Sequence, residues 1–229
     1  MFNMIKLDWL CMRSLRYRVY LALLAGVATA IFIHPILAII TLPFVLHDFG
    51  AYPFLAEETG KVNLLYMTLP VNRKVIVRAR FGFMLFMCSI GLIIAVILTL
   101  AGSALLSEHT TILTTATFNV SIDTMLLAVA NSILICSILN LAIFPIFCKV
   151  GYSKAKIVTT VVSVGLIILP IAVVQLGERF VIIRDSIVLA IEWGIANIRL
   201  TSIILIGLAV VLFATSHVLA QKNYAMREF

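Results

Sequence analysis

Residues 81–106 read FGFMLFMCSIGLIIAVILTLAGSALL, a run without a single Asp, Glu, Lys or Arg. Coiled as a helix rising about 1.5 Å per residue, it reaches about 39 Å, more than the roughly 30 Å of hydrocarbon in a bilayer. The rest of the chain repeats the pattern. Of 229 residues, 63% are hydrophobic and only 12% are charged, whereas a soluble domain is about half apolar and about a quarter charged. That much apolar side chain cannot be hidden beneath a polar surface, so lipid is the solvent for most of it. A soluble enzyme, a nucleic-acid-binding module and a disordered tail are excluded together.

The same criterion, applied to the chain on either side of 81–106, predicts an all-α integral membrane protein, a single domain over 1–229 with six transmembrane helices. Residues 19–56 hold no Lys or Arg. They have room for two short crossings, near 19–33 and 35–56, divided at His34-Pro35 because proline pushes the preceding residue out of helical conformation. Further spans are expected near 124–148, 157–177 and 200–220. The first run is expected to stay as a span, since no small-residue cleavage site leads into a polar domain.

The basic residues set the orientation. Fourteen of the 17 Lys and Arg fall in alternate segments: 1–18, 57–80, 149–156 and the tail from Lys222. The opposite side holds only Arg179, Arg184 and Arg199. By the positive-inside rule both termini are cytoplasmic. The same distribution accounts for the net charge of +7 without a nucleic-acid partner. Cys11, Cys88, Cys136 and Cys148 lack CxxC spacing and three of them sit in apolar runs, so they read as small buried hydrophobes.

Three segments are expected not to span. Residues 1–18 place Phe2, Ile5, Trp9 and Met12 at spacings of three and four among basic side chains. This suits an amphipathic helix lying in the cytoplasmic interface; a plain basic anchor before the first span is the alternative. Residues 178–193 suggest a second interfacial helix on the outer face, and the Thr-rich stretch 107–122 an outer loop.

No GxxxxGK[ST], HExxH or GxSxG run occurs, and His34, His47, His109 and His217 are scattered. No catalytic residue, bound cofactor or metal site is therefore expected on this chain. Polar residues inside lipid tend to face a bundle interior or a cavity. The candidates are Thr41 and Asp48, then Asn131, Ser137 and Asn140, then Thr159, Thr160 and Ser163. Asp48 is the one acid inside an expected span, suited to an ion pair with Arg78 or Arg80 or to a substrate contact. Asn131 and Asn140, nine residues apart, point to opposite helix faces. At most one faces a path, and the other ties helices together. Gly91 and Ala95, like Ala22, Gly26 and Ala30, are spaced for close helix packing.

The densest polar stretch is residues 57–80, EETGKVNLLYMTLPVNRKVIVRAR. Asn72 is placed to cap a helix continuing into the third span. Arg73 and Lys74 then fall in its first turn, where the macrodipole disfavours cations by about 0.3–1 kcal/mol. Either these residues serve a function or they reach lipid phosphates, with Arg78 and Arg80 snorkelling one turn later.

The acid pair Glu57-Glu58, followed some ten residues on by Leu69-Pro70-Val71-Asn72-Arg73-Lys74 at the opening of a long span, resembles the membrane subunits of ABC-2 type transporters. It is most similar to small six-span bacterial permeases whose corresponding segment reads LPVSRKEIV. Asn72 stands where serine is usual and keeps the capping role; Val75 replaces an acid and loses the reciprocal capping contact. The resemblance implies a bacterial plasma-membrane protein without catalytic residues. ATP and Mg would be bound by a separate cytoplasmic ATPase. A second permease subunit, identical or a sister, would complete the path. Glu57, Glu58, Leu69, Pro70, Val71, Asn72, Arg73 and Lys74 would form the coupling region. With outer loops this small, the expected activity is export of an amphipathic or lipophilic molecule such as a peptide, antibiotic or lipid. A non-transporting immunity or anchoring protein of the same layout is the alternative. A third reading, an intramembrane enzyme, needs converging ionisable groups that the sequence does not offer.

Overall fold

A computed structural model describes Tyr17, Tyr20, Leu21, Leu23, Leu24 and residues 26–28, 35–59, 73–106, 121–179 and 181–225. Among these residues the secondary structure is helical, with no strand. Seven helices follow in order: α1 (Pro35–Phe49), α2 (Tyr52–Thr59), α3 (Arg73–Leu106), α4 (Ile122–Val150), α5 (Tyr152–Arg179), α6 (Val181–Ala196) and α7 (Ile198–Ala225). The described positions between 17 and 28 are helical too. The interfacial helix expected over 1–18 lies outside the described residues except at Tyr17, as do residues 60–72 and 107–120.

Four stretches are long and apolar enough to cross a membrane: Ile36–Glu58, Lys74–Ser103, Ile122–Val150 and Ile198–Tyr224. The fifth expected span, 157–177, falls inside the 28-residue α5. Helix boundaries differ from the expected spans for local reasons. α1 opens on Pro35, whose fixed φ suits a first helical position and whose missing N–H is an orphan there anyway. The crossing expected as 35–56 is broken in two. Pro53 has no N–H to donate to Phe49, so the helix closes with Gly50 N–H on His47 O at 2.9 Å and restarts as α2. α2 carries Glu57 and Glu58 as helical residues rather than as loop. α3 starts at Arg73 rather than at 81, so Arg73 and Lys74 do occupy a first helical turn.

α4 is bounded at both ends by the chain itself. Ser121 is its N-cap, accepting the Thr124 N–H at 3.1 Å. At the other end Gly151 adopts φ 90° and donates to Phe147 O at 3.2 Å. A side chain is strained at that φ, and glycine is what lets the chain turn straight into α5.

α4 and α7 form the most extensive helix pair, and they run parallel. Asp123 meets Arg199 near their starts, Ser216 donates to Asn140 O at 2.9 Å further along, and Asn223 donates to Pro145 O at 3.1 Å near their ends. For two parallel helices to be joined, α5 and α6 must carry the chain back along the full length of α4. α1 packs on α3 in a separate close contact. A Cβ at Gly91 would stand 2.9 Å from Pro43 Cα. The small-residue spacing of α3 thus serves a contact inside the chain. Cys88, Cys136 and Cys148 are buried and unbridged; Cys11 lies outside the described residues. The largest core cluster gathers Phe54, Ile76, Met84, Leu139, Ile143 and Phe144 from α2, α3 and α4.

Candidate functional site

Glu57 and Glu58 are neighbours on α2 with opposite fates. Glu57 turns inward, 4% exposed, and pairs with Arg80 of α3, itself 1% exposed. The Arg80 guanidinium also lies 4.6 Å from the centroid of Phe54. Glu58 turns outward and its Oε2 accepts the backbone N–H of Ser153 at 2.8 Å. That N–H belongs to the first turn of α5, where no intrahelical acceptor exists and the helix dipole favours an anion. One acid pair therefore fastens α2 to α3 on one side and to α5 on the other, at the two borders of residues 60–72.

Aromatic rings extend this junction. Phe54 stacks on Phe147 with centroids 5.3 Å apart, and Phe147 on Tyr152 at 5.8 Å. Phe81, next to Arg80, meets Phe144 edge-on at 5.3 Å and the His217 ring at 4.8 Å. Five helices, α2, α3, α4, α5 and α7, thus share one set of rings that meets the buried ion pair through Phe54. Two ions taken from water cost several kcal/mol each, offset by their mutual attraction in a medium of low dielectric. Rings that face a cation add about 2 kcal/mol or more when it is desolvated. Such a junction transmits displacement, because close-packed groups have little room to yield separately.

Of the two roles considered for Asp48, the ion pair with Arg78 or Arg80 does not form. Arg80 is two residues beyond the exposed Arg78 and faces the other way, into the core, so it does not snorkel. Among the described residues the ion pairs are Arg80–Glu57 and Arg199–Asp123, and neither includes Asp48. Of the remaining coupling positions, Lys74 is exposed and Arg73 opens α3. Leu69, Pro70, Val71 and Asn72 lie outside the described residues.

The polar residues of the spans divide into two groups. Asp48, Thr159, Thr160 and Ser163 line one cavity of about 300 Å³ together with Tyr52 and Lys156, between the α1–α2 corner and the start of α5. Thr41, Asn131, Ser137 and Asn140 are elsewhere. Thr41 and Ser137 donate to carbonyls of their own helices, Leu37 O at 3.0 Å and Leu134 O at 2.7 Å. The two asparagines separate as their spacing requires. Asn140 is fully buried and holds Ser216 through both its backbone and its side-chain oxygen, at 2.9 and 3.2 Å. Asn131 is exposed. Asn140 is the one that ties helices together.

Sequence reasoning missed the Glu57–Arg80 pair, the Glu58 bond to α5 and the ring stack. Their partners are 23 and 95 residues apart for the two acids, and no spacing rule reaches that far. The one available signal was the acid pair itself, placed where a span ends.

No curated protein and no solved structure matches the chain. A family model described as ABC-2 family transporter protein matches residues 3–225. With nearly the whole length matched and an all-helical, membrane-crossing fold beneath it, the chain belongs to the ABC-2 family of transporter proteins.

Proposed function

We propose that this protein is the transmembrane permease subunit of a bacterial ABC exporter, with six spans and both termini in the cytoplasm. ATP hydrolysis takes place on a separate cytoplasmic ATPase, and a second permease subunit completes the path. The observation that carries the reading is the double anchorage of α2. Whatever docks on residues 60–72 pulls on a segment whose flanks are fixed, through Glu57–Arg80 to α3 and through Glu58 to α5. A push there reaches three helices at once. The parallel pairing of α4 and α7 supports the six-span count, since the intervening chain must return once.

The cargo enters from the cytoplasm or the inner leaflet and is amphipathic or lipophilic, a peptide, antibiotic or lipid. Affinity purification from native membranes in mild detergent tests the reading. An ATPase carrying a Walker A motif is expected to come with the chain and to be lost when Leu69, Pro70 and Arg73 are substituted, while membrane insertion is unchanged. Recovery of the chain without any nucleotide-binding partner, in several detergents, would move the assignment to a non-transporting immunity or anchoring protein.

A further inference from the structure

The polar cavity has a continuation. Thr160 and Val164 line it and also begin an exposed, almost wholly apolar face of α5 that runs on past Gly165, Ile168 and Leu169 to Ala172. From Thr160 to Ala172 this face follows about 18 Å of helix, against about 15 Å for one leaflet of hydrocarbon. The polar part holds charges of opposite sign, Asp48 from α1 and Lys156 from α5, lining one cavity without closing an ion pair on each other. An acid kept inside a span is costly unless something meets its charge. Opposite charges held apart in one cavity, opening onto an apolar track of acyl length, match a molecule with both charges on its head.

We propose that this composite site binds a zwitterionic phospholipid-type amphiphile. Its ammonium meets Asp48, its phosphate meets Lys156, and its tail lies along α5 over Gly165. The hydroxyls of Thr159 and Thr160 already donate to Ala155 O and Lys156 O, which leaves their oxygens to accept from the head group. The site deepens the permease reading by naming a ligand class for the path, yet it is tested by binding alone, without the ATPase.

The probe is the full-length chain in mild detergent, offered lysophosphatidylethanolamine or lysophosphatidylglycerol of equal chain length and read by native mass spectrometry. The zwitterionic lipid is expected to bind at least about fivefold tighter than the anionic one. Asp48→Asn and Lys156→Gln are each expected to weaken it roughly tenfold, as for a lost hydrogen bond to a charged group. A Cβ at Gly165 meets nothing within 4 Å, so Gly165→Phe sets a ring across the face where the tail lies without disturbing packing and should also weaken binding roughly tenfold. Ile203→Phe, on the exposed face of α7, should change nothing. Equal retention of the two head groups by the unaltered chain would overturn the proposal and needs no variant to fold. So would equal losses at Gly165→Phe and Ile203→Phe, the sign of a lipid coat and nothing more. Loss of ATPase recovery would sink the permease reading and leave this binding result standing.

Discussion

Two ion pairs sit at opposite ends of α4, and they are built on different principles. Arg199 and Asp123, 3.0 Å apart, leave 80% and 43% of their side-chain surface exposed. Arg80 and Glu57 leave 1% and 3%, and the Phe54 ring lies against Arg80, with Phe147 stacked on Phe54 in the core. The first pair decorates the meeting of α4 and α7. The second is part of the core, and its burial turns an ordinary charge match into a joint on which α2, α3 and the ring stack depend. Position along the bundle matters less than what surrounds the charges.

The sharpest way to break the contrast is to strip one partner from each pair. Arg80→Ala leaves a buried carboxylate without its cation and should cost about 3–5 kcal/mol. It is read as loss of monodisperse protein or a large fall in melting temperature in detergent. The paired replacement Glu57→Leu with Arg80→Met removes both charges and should recover most of that loss; a double variant as damaged as the single would show that shape, not charge, governs the joint. Next in size is Gly151→Ala at the same end. It forces a Cβ into φ 90°, expected to cost about 1–2 kcal/mol in the same melting assay. At the other end, Ser121→Ala deletes the α4 cap and should cost about 1 kcal/mol. Arg199→Ala should be the smallest, under about 1 kcal/mol. Whatever it costs should fade in high salt, because exposed charges are screened. An Arg199→Ala loss equal to that of Arg80→Ala would erase the distinction between the two ends.

Length, charge and hydropathy made the helical class legible, because a run such as 81–106 has one physical solution in lipid. Facing was legible only in part. Helical spacing required Asn131 and Asn140 to diverge but did not say which was buried; that depended on Ser216, 76 residues beyond Asn140. Arg78 and Arg80 looked alike in sequence. Arg80 found Glu57 and Phe54, while Arg78 stayed outside. Pro53 did carry the break between α1 and α2, yet a continuous apolar run around it masked the signal. The cavity joining Asp48 to Thr159, Thr160 and Ser163 needed the corner at Gly50 and Ala51 and the turn at Gly151, two local bends that place distant segments side by side.

The parallel seam between α4 and α7 also fixes an order of events during synthesis. Asn140 is emitted 76 residues before Ser216, whose hydroxyl donates to its backbone and side-chain oxygens. At about 5–20 residues per second, translation takes roughly 4–15 s to deliver that partner. For those seconds α4 waits in the bilayer with an asparagine side-chain oxygen for which lipid offers no donor. Any chain cut short before α7 never leaves that state. Quality control that recognises an unpaired asparagine at mid-membrane would have a clear mark by which to tell a finished subunit from an unfinished one.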